Sequence, residues 1–319
     1  MTDADAASRD TATAAGGTLA VPSAAPRETR RERLANFWSD YRRSPVAVGS
    51  LAVIVLLLAL SFGAPWIAPQ DPYDMAALDW MDAFLRPGTE GAGGYAHVLG
   101  TDNAGRDMLS AIFYGLRTSF VIGLSAGALA LAIGITVGLS AAYFRGRIES
   151  LLMRIVDLQL SMPAILLALV MVAVLGQGVG QIIAALVVAQ YAYFARTTHG
   201  SATVERGKEY IEAARSTPLP THRVLFRHLL PNVMPPLIVV ATVQVASAIA
   251  LEATLSFLGV GLPLTEPSLG SLISNGFKYI HTDRYWLSIY PGLFLMVTVV
   301  AINLVGDQVR TVLDPRHAP

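Results

Sequence analysis

The sequence predicts an all-α integral membrane protein with six transmembrane helices, and three observations carry that expectation. Apolar residues make up 53% of the chain and charged ones only 14%, a balance foreign to an ordinary soluble domain. The apolar residues fall into blocks long enough to cross about 30 Å of hydrocarbon. Basic residues gather in every second connection between those blocks, as the positive-inside rule requires.

Residues 1–44 read as a disordered, basic cytoplasmic tail. The first thirty or so are rich in Ala, Thr, Ser and Asp, and lack the continuous apolar core of a cleavable signal peptide. Arg27, Arg30, Arg31, Arg33, Arg42 and Arg43 then precede the first apolar run, which holds this end in the cytoplasm. The first span is expected over 45–68, with Pro65 and Pro69 at its outer end. Residues 69–116 form an outer segment: Asp71, Asp74, Asp79, Asp82, Glu90, Asp102 and Asp107 outnumber its basic residues, and Gly88 to Gly94 reads as an exposed loop.

Five further spans are expected at about 118–143, 158–176, 181–197, 233–258 and 286–306, within a core of 117–309. Between the third and fourth, only Gly176-Gln177-Gly178-Val179-Gly180 offers a turn, so a five-span reading costs little there. Arg145, Arg147 and Arg154, then Arg196 through Arg227, then Arg310 and Arg316 fall on the side assigned to the cytoplasm, placing both termini inside, with 310–319 as a short tail. The stretch 259–285 is too polar and Pro-interrupted to span again, and reads as a short structured cap on the outer face.

Function is most legible in the connection 203–232. Tyr210, Ile211, Ala214 and Thr217 recur at helical spacing, and Pro218 and Pro220 stop that helix. A second helix is expected from Thr221 as N-cap through Val224, Leu225, His228 and Leu229, ending at Pro231. Ala213 and Ala214 leave almost no side chain beside Glu212, which suits insertion into a groove on a partner. The plain alternative is a solvated basic loop. The stretch from Glu209 through Glu212-Ala213-Ala214-Arg215 to Leu230-Pro231 resembles the cytoplasmic "EAA" loop of ABC-importer permeases, by which a membrane subunit docks on its ATPase. One departure stands out: Pro218 occupies a position where that family usually has Gly, and both residues break a helix.

Three more motifs follow in the family's order. Leu99-Gly100-Thr101-Asp102-Asn103-Ala104-Gly105-Arg106-Asp107 is similar to the "LGTD…GRD" signature of the dipeptide/oligopeptide branch. Gly100 and Gly105 permit a tight turn, Asp102 or Asn103 can cap a helix, and Arg106 can pair with a carboxylate. A capping turn and a direct role with substrate both fit. Leu255 to Gly261 and Pro267 to Gly270 resemble the "LSFLGLG…PSWG" segment, and Asn303 to Asp307 with Arg310 and Leu313 to Arg316 resemble the ending "NLLGD…R…LDPR". The resemblance runs from about Pro45 to Arg316 and fits best the C-type subunit of a peptide importer.

Glu252 is the one acidic residue deep within an expected span, about 24 Å along its helix from Pro236. Facing lipid it would be costly, so it faces protein or water. A paired residue between helices and an acidic group on a translocation path are the two readings. Other chemistries find no residues. There is no Gly-rich phosphate cradle ending in Gly-Lys-Ser/Thr, since Gly207-Lys208 is followed by Glu209. No His/Glu constellation for a metal and no Gly-x-Ser-x-Gly elbow occur. The chain has no cysteine, and its zero net charge speaks against nucleic acid.

The resemblance implies a non-catalytic permease of the bacterial inner membrane, paired with a second, similar permease and surrounded by lipid. Two cytoplasmic ATPase subunits would carry ATP and Mg, and an extracytoplasmic peptide-binding protein would deliver substrate. Related importers of nickel, glutathione or opines share these motifs. An autonomous channel or ion-coupled carrier is the alternative from another class, against which the single intramembrane carboxylate and the lack of a repeat both speak.

Overall fold

The computed structural model describes residues 30–74, 78–211, 220–263 and 266–313. Helix α1 (Arg30–Tyr41) leads into α2 (Pro45–Phe62). Ser44 caps α2 by accepting from the Ala47 amide, and Pro45 sits in the first turn, where its missing N–H costs nothing. Tyr41 Oη donates to the Ala47 carbonyl at 3.1 Å, fixing the angle at which α1 meets the span.

The segment expected on the outer face is folded. Residues Trp80–Asp82 form a 3₁₀ turn, and strands β1 (Thr89–Glu90) and β2 (Ala96–His97) pair antiparallel, with Thr89 opposite His97. The Gly-rich stretch expected as a loop is therefore the turn of a hairpin, with Gly94 at φ +72°, a conformation only glycine adopts freely. The outer segment is stitched to the far end of the chain. The Arg284 guanidinium lies 3.6 Å over the Phe84 ring, and Trp286 Nε1 donates to the Thr101 carbonyl at 3.2 Å.

Helix α3 (Met108–Phe144) has 37 residues, about 55 Å at 1.5 Å per residue, and so begins ten residues before the span expected at 118. It is the spine of the bundle. Four of its five glycines come in two pairs at four-residue spacing, and each pair admits a different neighbour. A Cβ on Gly123 or Gly127 would meet Ile249 at 2.6 Å or Val245 at 2.9 Å, and one on Gly134 or Gly138 would meet Phe194 at 2.4 Å or Thr198 at 2.5 Å. Small residues at this spacing let helix backbones approach closely where no hydrophobic force drives association.

Arg145 and Gly146, both at positive φ, turn the chain into amphipathic α4 (Gly146–Leu160), which bends by 94° into α5 (Ala164–Leu175). The expected third span at 158–176 is thus shortened to 12 residues, about 18 Å. Pro163 is the physical reason: its ring excludes the helical conformation from Met162. Gly176 and Gly178, at φ +87° and +139°, return the chain into α6 (Val179–Arg206).

Thr221–Arg223 opens the next helix, continues through a π-helical turn at Val224–Leu229 and runs on as α7 (Leu230–Phe257). Pro231 does not end a helix as expected. It follows the wide π turn, in which the ladder is already offset, so its missing N–H is absorbed. Nor is Thr221 the N-cap: Pro220 holds that position, with no side-chain cap bond. The outer cap expected over 259–285 contains α8 (Leu269–Phe277), started by a reciprocal Ser268/Ser271 capping box, and α9 (Trp286–Leu313) closes the described chain. Among the described residues, five helical stretches are long and apolar enough to cross a membrane, and the bent α4–α5 pair counts as a sixth when taken as one span.

Candidate functional site

The described part of the 203–232 connection consists of two shoulders, and both are anchored. Gly207 ends α6, and Glu209, Tyr210 and Ile211 are again helical. Lys208 Nζ reaches Glu205 Oε1 at 2.6 Å, and Tyr210 Oη donates to Glu205 Oε2 at 2.8 Å. Burial first, and the Glu205 carboxylate second, push the Tyr210 phenol up to about 12, so it remains a donor. Ile211 is buried among Leu139, Ala142, Leu225, Leu229 and Val233, which ties the near shoulder, the far shoulder and the end of α3 into one cluster. Arg206 Nη1 donates to the Ala142 carbonyl at 3.2 Å. Glu209 is exposed. Glu212, Ala213, Ala214, Arg215 and Pro218 lie outside the described residues.

At the opposite end, Asp102, Gly105, Arg106 and Asp107 form a single turn. Asp102 Oδ1 accepts from the Ala104 and Arg106 amides at 2.8 and 2.9 Å. Burial nevertheless holds its carboxyl above the usual range, outweighing those two amides and the Arg106 guanidinium. The helix cap expected at Asp102 or Asn103 is Asp107, whose Oδ2 accepts from the Ser110 amide at 2.8 Å. Asp102 spends its carboxylate inside the turn, which leaves the first residue before α3 to cap it. Asp107 Oδ1 also lies 2.9 Å from His97 Nδ1. Gly105 is at φ +76°, and a Cβ there would stand 2.2 Å from the Asp79 carbonyl.

Glu252 is wholly buried in α7. Ser119 Oγ of α3 donates to its Oε2 at 2.9 Å, Ser256 Oγ donates to its Oε1 at 2.8 Å, and Ser268 at the start of α8 is a further partner. Three separate helices meet on this one carboxylate. On α9, Asn303 is half-buried and Asp307 exposed, while Gly306 between them is buried at a close approach to Thr242 of α7.

Sequence reasoning missed one feature. A groove of about 1190 Å³ runs between α4, α6, α7 and α9, with Arg196, Asn232, Pro235, Pro236, Gln244 and Arg310 among its lining. Pro235-Pro236 inside an expected span was the available signal, since two prolines there free backbone carbonyls that a lipid-facing helix would leave without donors. Among the described residues, no three His, Cys, Asp or Glu side chains come together as a metal site.

Residues 134–318 match the family described as binding-protein-dependent transport system inner membrane component, and residues 33–87 match the N-terminal TM domain of oligopeptide transport permease C. The di/tripeptide transport system permease protein DppC of Pseudomonas aeruginosa (strain UCBPP-PA14) is 36% identical over 297 residues, 93% of this chain and 96% of its own length. The dipeptide transport system permease protein DppC of Escherichia coli (strain K12) is 37% identical over 284 residues, 89% of this chain and 93% of its own. Among solved structures, the MetNI methionine ABC transporter in inward facing conformations aligns with a TM-score of 0.53 and 22% identity. The alignment covers 64% of this chain and 97% of that one, a likeness of fold.

Proposed function

Since this chain belongs to the family of binding-protein-dependent transport system inner membrane components, we propose that it is the permease subunit of an ATP-driven importer of di- and oligopeptides. It forms half of the translocation pathway and does no covalent chemistry. Its partners are a second, homologous permease, two cytoplasmic ATPase subunits that carry ATP and Mg, and an extracytoplasmic peptide-binding protein. Both termini lie in the cytoplasm. The relatives named for dipeptide and di/tripeptide transport, matched along nearly their whole length, carry the substrate reading.

The 203–232 connection is the element that meets the ATPases. Support comes from its anchored shoulders: Ile211 shares one buried cluster with Leu139, Leu225 and Leu229, so a push on the loop reaches α3 and α7 together. Glu209, Glu212, Ala213, Ala214, Arg215 and Pro218 form the docking surface in this reading.

Reconstitution with the second permease, the ATPases and loaded binding protein in proteoliposomes tests the proposal. ATP-dependent accumulation of a labelled dipeptide is expected. Accumulation of nickel or glutathione in its place would reassign the substrate, and peptide movement without the ATPases would replace the importer with an autonomous carrier.

A further inference from the structure

Helix α1 (Arg30–Tyr41) presents two unlike sides. One side is held: Tyr41 is 2% exposed and bonded to the Ala47 carbonyl, Phe37 is half-buried, and the helix packs against α9. The other is open. Arg31, Ala35, Trp38 and Arg42 follow one another at steps of four, three and four residues, which places them on one face, and all four are exposed. The Arg42 guanidinium lies 4.8 Å over the Trp38 ring, and Tyr41 stacks on the same ring at 5.8 Å, so the indole is held in place while it faces out.

What covers this face follows from where the helix stands. Pro45 opens α2, the first apolar span, so α1 ends where the chain enters the bilayer, at the level of the lipid headgroups. An indole with an arginine over it suits that level. The Trp ring is amphipathic and collects at the membrane–water interface, and a guanidinium stacked on a ring keeps its edge N–H donors for a phosphate. Arg31 and Arg42 lie about 16 Å apart along the helix axis. That is too far for both to reach one carboxylate or one phosphate, so the face fits a surface that carries many anionic groups. Charge agrees along the whole stretch: from Arg27 to Arg43, six arginines stand against Glu28, Glu32 and Asp40, a basic run beside a span on what the proposed topology makes the cytoplasmic side. A protein partner fits less well, because Trp38 is the single large apolar side chain among these four residues.

We propose that α1 lies along the cytoplasmic leaflet as a surface anchor, with Trp38 seated among the headgroups and Arg31 and Arg42 on the phosphates of anionic lipid. The inference rests on the proposed cytoplasmic N-terminus and is independent of which solute is carried.

The chain has no cysteine, so a nitroxide attached to Ala35→Cys of the full-length chain reports on this face alone. The labelled chain is reconstituted in vesicles of phosphatidylcholine with or without phosphatidylglycerol, and collisions of the label with an aqueous nickel chelate are measured by power saturation. With phosphatidylglycerol present the label should be shielded. In phosphatidylcholine alone the collision rate should rise by about fivefold or more, the bias that one interfacial arginine supplies. Arg31→Gln with Arg42→Gln should open the label to the chelate in both lipids, whereas Arg31→Lys with Arg42→Lys, which keeps the charges, should leave it shielded beside phosphatidylglycerol. Equal collision rates in the two lipids overturn the inference, whether the label is open in both or covered in both, and so does an open label in the lysine variant. Those failures leave the topology standing. Labelling of Ala35→Cys by an impermeant thiol reagent from outside intact cells would defeat the topology itself, and this inference with it.

Discussion

Ser119 and Glu252 stand 133 residues apart in sequence and 2.9 Å apart in space, the Ser119 hydroxyl donating to Glu252 Oε2. That bond joins α3 to α7, and Ser256 and Ser268 bring in the next turn of α7 and the start of α8. This carboxylate therefore adds a polar tie between α8 and the bundle, beside the packing of Leu269 and Leu272 in the main core. A buried acceptor with several donors is stabilising only while all of them are present.

Removing that acceptor separates the two readings of Glu252. Glu252→Ala leaves three hydroxyls without it and should lower stability by about 2–4 kcal/mol, read as a fall in thermal midpoint of the purified complex. Glu252→Gln keeps an acceptor at nearly constant shape and should cost less than half as much. If Glu252 lines the pathway instead, Glu252→Gln will alter the ratio of cationic to neutral peptide uptake in a complex of normal stability.

Asp102 gives the turn before α3 a pH dependence of a definite sign. Burial raises its carboxyl above the ordinary value, so between that value and the raised one the folded chain binds the proton that the unfolded chain has lost. Stability then falls as pH rises through that window, and the ionised carboxylate remains a cost at neutral pH. Asp102→Asn keeps an oxygen for the Ala104 and Arg106 amides and removes the charge. Thermal unfolding followed from pH 4 to 7 should show a flatter profile for Asn and a higher thermal midpoint at pH 7. An unchanged slope would refute this assignment.

Tyr210 holds the near shoulder of the loop through its bond to Glu205. Tyr210→Phe removes that donor and should lower substrate-stimulated ATP hydrolysis by about fivefold, with insertion and subunit ratios unchanged. The phenol is raised from 10.0 to about 12, so this contribution is constant below pH 10 and is lost as pH rises from there through about 12. Normal stimulation in the Phe variant would show that the shoulder does not transmit force.

The fold class was legible because membrane spans are written in composition and charge, which act residue by residue. What escaped the sequence depends on geometry between segments. Pro163 could be seen as a breaker, but not that it would divide a span into a surface helix and a 12-residue stub. Pro231 looked like a stop because the π turn at Val224–Leu229 that accommodates it has no local signature. At the outer turn, the motif identified Asp102 and Asp107 as a group. Which of them caps α3 depended on the Ala104 and Arg106 amides claiming Asp102 first. Glu252 stood out by charge alone, whereas its three serine partners lie on other turns and other helices. Gln244 was invisible as one amide among many, since nothing in its neighbourhood along the chain shows that its Nε2 is left without a partner.

The most direct test of the account is substrate-stimulated ATP hydrolysis by the reconstituted complex carrying Ala213→Trp or Glu212→Lys. A large ring at a close backbone approach, or a reversed charge beside it, should block docking. In the proposed topology the loop lies outside the bilayer, so all spans should still insert. Both variants are expected to abolish stimulated hydrolysis and peptide uptake, whereas Pro218→Gly, which replaces one helix breaker by another, should retain most of each. Normal stimulation in both Ala213→Trp and Glu212→Lys would contradict the account, because the 203–232 connection would then not be where this chain meets its ATPases.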